Sequence, residues 1–262
     1  MNIASELPTP NFNPMAKQDW PKAFQPLLKK YKNKPHPLEY KNLYQLVVMV
    51  ILSAQDSDKN INVRAPEFFK AFPDMRTLAV AKEETIAPFL KSIRNGRNKG
   101  KWLLTMAQQI KTDKNIPLAM EALTALPGIG RKSANVIMRG AGVKAEGVIV
   151  DLHVVRVAPR IGVATGTDPK KIEQQIMDVV PQKDWGEIGM AISFLGRETC
   201  RPTNPHHAEC VMNGVCEYYA AQKKVPAKKA VAATPAKKTI AAKPAKKASV
   251  AKPAKKAAKK KK

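Results

Sequence analysis

A lysine and an aspartate in this chain stand where their side chains could do nucleophilic chemistry. Lys132 follows the turn LPGIGR, and Asp151 follows the apolar run VIV, nineteen positions after the lysine. An uncharged amine can attack carbon, whereas an ammonium cannot. If a helix begins near Arg131, the positive end of its dipole disfavours the ammonium form of Lys132. The carboxylate of Asp151 could then stabilise a developing cation or relay protons.

The turn before Lys132 has the composition of a connection between two helices. Pro127, Gly128 and Gly130 favour a tight turn, and glycine can adopt positive φ or let a phosphate approach the backbone. The apolar residues after Arg131 predict a helix that begins there, with its first N–H groups facing the turn. Phosphate is the natural ligand of such groups. Gly128, Gly130 and Arg131 are therefore candidate DNA contacts.

Three motifs taken together resemble the helix-hairpin-helix DNA glycosylases, specifically the endonuclease III branch. They are LPGIGRKSANV at 126–136, VDLHVVRV at 150–157 and LGRETC at 195–200. Two other segments agree with the family pattern, VILSAQDSD at 50–58 and RNKGK at 97–101. The resemblance covers roughly residues 21–218.

The resemblance implies a base-excision-repair DNA glycosylase with an associated abasic-site (AP) lyase activity that removes oxidised pyrimidines from double-stranded DNA. Lys132 matches the lysine that attacks C1′ of the damaged nucleotide, expels the base and forms an imine that undergoes β-elimination. Asp151 matches the aspartate that supports this step. The alternatives are a monofunctional glycosylase of the same superfamily, which lacks the lyase step, and a non-catalytic DNA-compacting protein.

The resemblance also implies residues that enter the duplex, and here the chain departs from the family. Gln55 matches a glutamine that enters the duplex beside the extruded nucleotide, and Asp58 is a candidate for the wall of the base pocket. Related enzymes carry a glycine followed by bulky residues in the loop where this chain has Arg94–Gly96. The apolar wedge is therefore missing or displaced. Either Arg94 or Asn95 fills the gap by hydrogen bonding, or strand opening depends more on Gln55.

The three cysteines form a candidate metal site in which one expected ligand is changed. Cys200, Cys210 and Cys216 occupy three positions of the family's C-x6-C-x2-C-x5-C loop, and His207 occupies the fourth. A [4Fe–4S] cluster with one histidine ligand, a tetrahedral zinc ion and packed thiols without metal all remain open. His206 could substitute for His207. The odd number of cysteines and the length of the chain argue against disulfides.

The charge balance independently favours a polyanionic partner. Lys and Arg number 46 against 21 Asp and Glu, for a formal charge of +25 and a pI near 10.0. Residues 223–262 contain sixteen lysines and no acid, and the motif PAKK recurs there every nine residues. With few large apolar residues this tail is predicted to be disordered and to bind DNA without sequence preference and with strong salt dependence.

The apolar patterning predicts an all-α protein of two helical lobes, and the resemblance implies the helix-hairpin-helix DNA glycosylase fold with a metal-binding loop near the C-terminus of the folded part. The resemblance implies that residues 38–145 form a six-helix barrel-like domain that includes the hairpin, and that residues 21–37 with 146–222 form a second helical domain. Residues 1–20 are predicted to be a flexible extension and 223–262 the tail. His153 and Trp185 are assigned to packing. Helices are predicted at 42–55, 66–72, 75–80, 82–92, 100–111, 118–125, 131–139 and 168–180.

The same features give expectations about location and assembly. The N-terminal segment resembles neither a secretory nor an organelle signal, so we expect a cytoplasmic, nucleoid-associated protein. The apolar run 42–55 is too short to span a membrane. We expect a monomer that acts on DNA with damaged bases or abasic sites.

Overall fold

The computed structural model describes residues 18–224, and this part of the chain is helical without any strand. Nearly all of the predicted lysine-rich tail and of the predicted N-terminal extension lies outside the described residues, and the first two tail residues, Lys223 and Lys224, belong to the last helix. The α-helices are α1 Trp20–Ala23, α2 Gln25–Tyr31, α3 Leu43–Ser53, α4 Asp58–Ala71, α5 Met75–Ala79, α6 Glu83–Leu90, α7 Gly96–Ile110, α8 Met120–Thr124, α9 Arg131–Gly140, α10 Leu152–Ile161, α11 Pro169–Val179, α12 Trp185–Glu198 and α13 Glu217–Lys224. The predicted all-α class is confirmed.

Side-chain caps decide where several of these helices begin. Asn42 accepts a hydrogen bond from the Gln45 amide at the start of α3. Ser57 does the same for the Asn60 amide at the start of α4. This cap explains why α4 begins at Asp58, eight residues before the start that was predicted at Pro66. Pro66 itself lies inside the helix. Because a serine side chain satisfies an otherwise free N–H group, the helix can start in a polar stretch.

Two long helices were not predicted from the sequence. α10 Leu152–Ile161 and α12 Trp185–Glu198 pack extensively against each other. α12 is apolar on most of its surface, and nine of its residues, from Ile188 to Gly196, are buried. Such a helix has no polar stripe to reveal its period, so its pattern is ambiguous in the sequence.

The helices fall into two groups by their contacts. Helix α3 is buried almost all round and packs against α4, α7 and α9. Helix α12 packs against α2 and α10, and it also contacts α9. The hairpin helix α9 therefore lies where the two groups meet. None of the described helices combines the length and the apolar character needed to cross a membrane.

Candidate active site

Lys132 is the second residue of α9, which begins at the predicted Arg131. Gly130 precedes the helix with extended backbone and offers no side chain to cap it. Gly128 has φ +80°, and a Cβ there would lie 2.9 Å from the ring of Trp102. This position therefore requires glycine for both its conformation and its packing. The turn leaves the first amides of α9 free of any side-chain cap, as a phosphate site requires.

A buried glutamate fixes the start of α9 against the rest of the site. Glu173 is only 6 % exposed and accepts hydrogen bonds from Arg131 Nε at 2.7 Å and Asn135 Nδ2 at 3.1 Å. It also accepts from the backbone amide of Val148 at 3.1 Å. One carboxylate thus joins the hairpin helix, helix α11 and the extended segment that leads to Asp151.

Replacing Glu173 with alanine is expected to lower the free energy of unfolding by about 2–4 kcal/mol, because three donors lose a charged acceptor in a buried position. Urea denaturation measures the change. Glu187→Ala is the matched control, since Glu187 also pairs with an arginine, Arg139, but is half exposed. That variant should lose less than about 1 kcal/mol. Equal losses in the two variants would show that the buried carboxylate has no special structural role.

Asp151 caps helix α10 and accepts three hydrogen bonds. Its Oδ1 accepts from the amides of His153 at 2.8 Å and Val154 at 2.9 Å. Its Oδ2 accepts from the Ser193 hydroxyl at 2.6 Å, and Arg197 Nη2 lies 3.8 Å away. The carboxylate is therefore fixed in orientation as well as in position.

The charges of Asp151 and Asp58 both act on the amine of Lys132. Its pKa is lowered, chiefly because the surrounding protein desolvates the ammonium, although the residue as a whole is open to solvent. The charges of Asp151 and Asp58 act in the opposite direction, and that of Arg197 lowers the pKa further. The direction agrees with the sequence prediction, but its main cause is desolvation rather than the helix dipole that the sequence suggested.

Arg197 links the two carboxylates, and sequence reasoning did not single it out. Its Nη1 donates to Asp58 Oδ2 at 3.0 Å, and its Nε donates to Ser193 Oγ at 3.4 Å. Asp58 is the first residue of α4, so this network joins the two groups of helices. The motif LGRETC contains Arg197, and an arginine inside a recognised motif was the available signal.

His36 is a second unpredicted neighbour of the site. Burial lowers its pKa to about 4, and the positive charge of Lys132 acts in the same direction. Its Nδ1 accepts a hydrogen bond from the Leu38 amide at 3.0 Å. The imidazole is thus uncharged at neutral pH and adds no positive charge beside the amine. Nothing in the loop sequence around His36 predicts that it lies near Lys132.

The candidate residues for entering the duplex lie on two exposed loops. Gln55 follows α3 with φ +58°, and Asn95 precedes α7 with the same φ of +58°. Gln55, Arg94 and Asn95 are all exposed. No bulky apolar side chain replaces the wedge in the second loop, whose only apolar member, Ile93, is buried.

The four candidate metal ligands line one small cavity between α10, α12 and the loop after α12. Cys200 and Cys216 are buried, and Nε2 of His207 is buried with no hydrogen-bond partner. Its ring stacks on Tyr219 at 4.5 Å between centroids. Across residues 18–224, however, no three His, Cys, Asp or Glu side chains come close enough to hold a metal ion. The donor types and the unpartnered imidazole nitrogen fit a soft metal site, whereas the side-chain positions are those of free thiols.

His153 and Trp185 were assigned to packing. Trp185 is partly buried, and its Nε1 donates to the carbonyl of Val180 at 2.8 Å. His153 Nδ1 lies 3.2 Å from Arg156 Nη2, which also donates to the Gly196 carbonyl. Trp185 therefore packs against the core with its indole N–H satisfied.

The sequence of this chain is similar to those of known DNA repair proteins. Residues 48–182 match the family model of the HhH-GPD superfamily base excision DNA repair proteins. The chain is 36% identical to endonuclease III of Synechocystis over 72% of this chain and 88% of that protein. It is 34% identical to endonuclease III of Bacillus subtilis over 68% of this chain and 83% of that protein.

Solved structures agree with this match at the level of the fold. A trapped endonuclease III–DNA covalent intermediate superposes with a TM-score of 0.70 at 24% identity, over 80% of this chain and all of that one. A non-covalent endonuclease III–DNA complex gives the same values. The arrangement of helices around Lys132 and Asp151 therefore follows a known fold.

Proposed function

Because the chain belongs to the HhH-GPD superfamily of base excision DNA repair proteins, we propose that Lys132 is the nucleophile of a bifunctional DNA glycosylase and AP lyase of the endonuclease III type. The protein is an enzyme of base excision repair. The single observation that supports Lys132 is its place at the start of the hairpin helix, where desolvation lowers the pKa of its amine and the charge of Asp151 acts on it.

The chemistry begins with a base that has left the stack, because the amine cannot reach C1′ inside a duplex. The neutral amine of Lys132 attacks C1′, and the N-glycosidic bond breaks with its electron pair leaving on the base. Positive charge develops on the sugar, and the fixed negative charge of Asp151 stabilises it. The nitrogen lone pair then forms the C1′=N bond as the C1′–O4′ bond breaks, and O4′ takes up the proton that the nitrogen releases. Loss of a proton from C2′ of this ring-opened imine then expels the 3′ phosphate by β-elimination.

The DNA backbone would be held at the hairpin turn. Gly128, Gly130 and Arg131 place free amides and a cation beside the amine, and Lys170 lines the same cleft. The charges of Asp58, Arg197 and Asp151 all act on the pKa of Lys132. As the family implies, the substrate would be double-stranded DNA with damaged pyrimidines or abasic sites.

Strand cleavage on a panel of thymine glycol, abasic and 8-oxoguanine duplexes tests this function. The proposal expects cleavage of the thymine glycol and abasic duplexes, with a covalent adduct trapped by borohydride. A monofunctional glycosylase would release the base and leave the abasic duplex uncut. A DNA-compacting protein would bind undamaged DNA equally well and cut none of the three.

For the second site, we propose a [4Fe–4S] cluster held by Cys200, His207, Cys210 and Cys216. The donors fit by type, and the buried, unpartnered Nε2 of His207 supports histidine as the fourth ligand. When bound, such a cluster would cross-link the loop after α12 to the helices around it. Arg160 donates to the backbone carbonyls of Arg201 and Pro202 and so already fixes the start of this loop.

Protein purified without oxygen is expected to contain about four iron and four sulfide ions per chain. His207→Ala should lose at least about half of the iron, because one of four ligands is removed. His206→Ala is the control: His206 lines the same cavity, but its Nδ1 lies 3.7 Å from Glu209 Oε2, so this variant should leave the iron content unchanged. One zinc ion per chain, or no metal, would contradict the cluster.

A further inference from the structure

The two exposed loops that carry the candidate duplex-entering residues are joined to each other by side-chain hydrogen bonds. These paired loops are residues 54–57, between α3 and α4, and residues 91–95, between α6 and α7. From the sequence alone, Gln55 in the first loop and Arg94 or Asn95 in the second were separate candidates for opening the duplex. Their connection depends on Asp56, which neither the family resemblance nor the catalytic mechanism uses.

Asp56 accepts hydrogen bonds from both loops. Its Oδ2 accepts from the backbone amide of Arg94 at 2.9 Å. Its Oδ1 accepts from the amide of Ser57 at 2.7 Å and from Asn60 Nδ2 at 3.1 Å. The same Asn60 amide group donates to the Ser92 carbonyl at 3.2 Å. The side chains of Asp56 and Asn60 thus each form a hydrogen bond to the backbone of the second loop, residues 91–95.

A buried lysine that donates to the end of α3 acts electrostatically on Asp56. Lys99 is only 1 % exposed, and its Nζ donates to the carbonyl of Leu52 at 2.7 Å. Its charge also acts on Asp56 and lowers the pKa of that carboxyl. Partial burial opposes this shift, but the hydrogen bonds from Arg94, Ser57 and Asn60 outweigh it. Asp56 is therefore a charged acceptor at neutral pH, and bonds to charged groups are the stronger ones.

The backbone of the paired loops adopts conformations that the chain does not favour by itself. Gln55 and Asn95 both have φ +58°, the left-handed region. That region costs roughly 1 kcal/mol or more for a residue with a Cβ, and less for asparagine. Gly96 anchors the second loop, since a Cβ there would lie 2.2 Å from the Leu90 carbonyl oxygen. The surrounding bonds must hold these two residues in place.

We propose that Asp56 is a positioning residue that couples Gln55 to Asn95, so that both side chains enter damaged DNA together and hold its strands apart. This inference rests on the proposed function. A bulky apolar wedge would gain energy from any contact with the base stack, whereas polar side chains gain only from well-aligned hydrogen bonds. Loops that lack the apolar wedge therefore need a fixed geometry, and Asp56 supplies it.

Two substrates separate this role from a general structural one. A duplex with a paired thymine glycol must be opened, whereas an abasic site has no base to extrude. Asp56→Ala should lower kcat/KM on the thymine glycol duplex by about ten- to a hundredfold, which is the loss expected for bonds to a charged group. Cleavage of the abasic duplex should change by less than about threefold. Fluorescence of a 2-aminopurine next to the lesion, which reports unstacking, should rise less on binding.

Asp56→Asn and Asp74→Ala complete the test. The amide of asparagine keeps one oxygen acceptor, so Asp56→Asn should give an intermediate loss and also covers the case in which the alanine variant fails to fold. Asp74 caps α5 through Thr77 and is a matched loop aspartate outside the paired loops, so Asp74→Ala should leave the ratio of the two substrates unchanged. Equal losses on both duplexes would overturn the inference alone. Failure of the wild type to cut either duplex would overturn the proposed function, and this inference with it.

Discussion

Lys132→Ala is expected to abolish strand cleavage and adduct formation while damaged-DNA binding persists. Removing a covalent nucleophile costs on the order of 10⁴- to 10⁶-fold in kcat. The phosphate contacts expected at Gly128 and Gly130 are backbone contacts and do not need the amine. Single-turnover cleavage of an abasic duplex measures the rate, borohydride trapping measures the adduct, and a filter-binding or anisotropy titration measures affinity at fixed salt.

Lys170→Ala is the matched control for that experiment. Lys170 lines the same cleft and its loss removes the same formal charge. Lys170 stands at the start of α11, and we expect it to contact the DNA backbone rather than the reacting sugar. Lys170→Ala should therefore weaken binding and its salt dependence while keeping a trapped adduct at saturating enzyme. An adduct of normal yield from Lys132→Ala would refute the assignment of the nucleophile.

Lys132 and Asp151 could be proposed as a reacting pair from the sequence because the signals that point to them are local. The glycines of the turn, the start of α9 at Arg131 and the position of Asp151 after a buried run can each be derived from neighbouring residues. In the structure Asp151 also caps helix α10. This capping role could not be predicted, because the sequence patterns did not predict α10. The pKa direction of Lys132 was predicted for an incomplete reason, because desolvation depends on which helices surround the amine.

The supporting residues could not be predicted because they come from distant parts of the chain. Arg197 meets Asp58 across 139 positions, and Asp56 meets Arg94 across 38. No periodicity relates such pairs, and only packing brings them together. The exchange of one metal ligand for His207 was visible in the spacing, yet whether the thiols close around a metal depends on loop geometry that the spacing does not determine.

Asp151→Asn is expected to lower the rate of base release by about 10²- to 10³-fold, because the sugar cation loses the opposite charge beside it. Asparagine caps helices about as well as aspartate, so α10 should keep its start and the variant should remain folded. Its amide oxygen can still accept from the His153 and Val154 amides. Thermal unfolding checks the fold, and single-turnover base release checks the chemistry. Ser193→Ala is the control, since it removes a partner of the carboxylate but leaves the charge.

The pH profile of Asp151→Asn separates two roles of this carboxylate. Asp151 raises the pKa of Lys132 against the lowering by desolvation, so its loss lowers that pKa further. Activity requires the free amine and rises as pH passes upward through the pKa of Lys132. The acid limb of the variant should therefore move to lower pH while its plateau falls. If the carboxylate only tuned the lysine, the variant would be the more active enzyme at low pH, and that result would remove Asp151 from the stabilisation of the sugar cation.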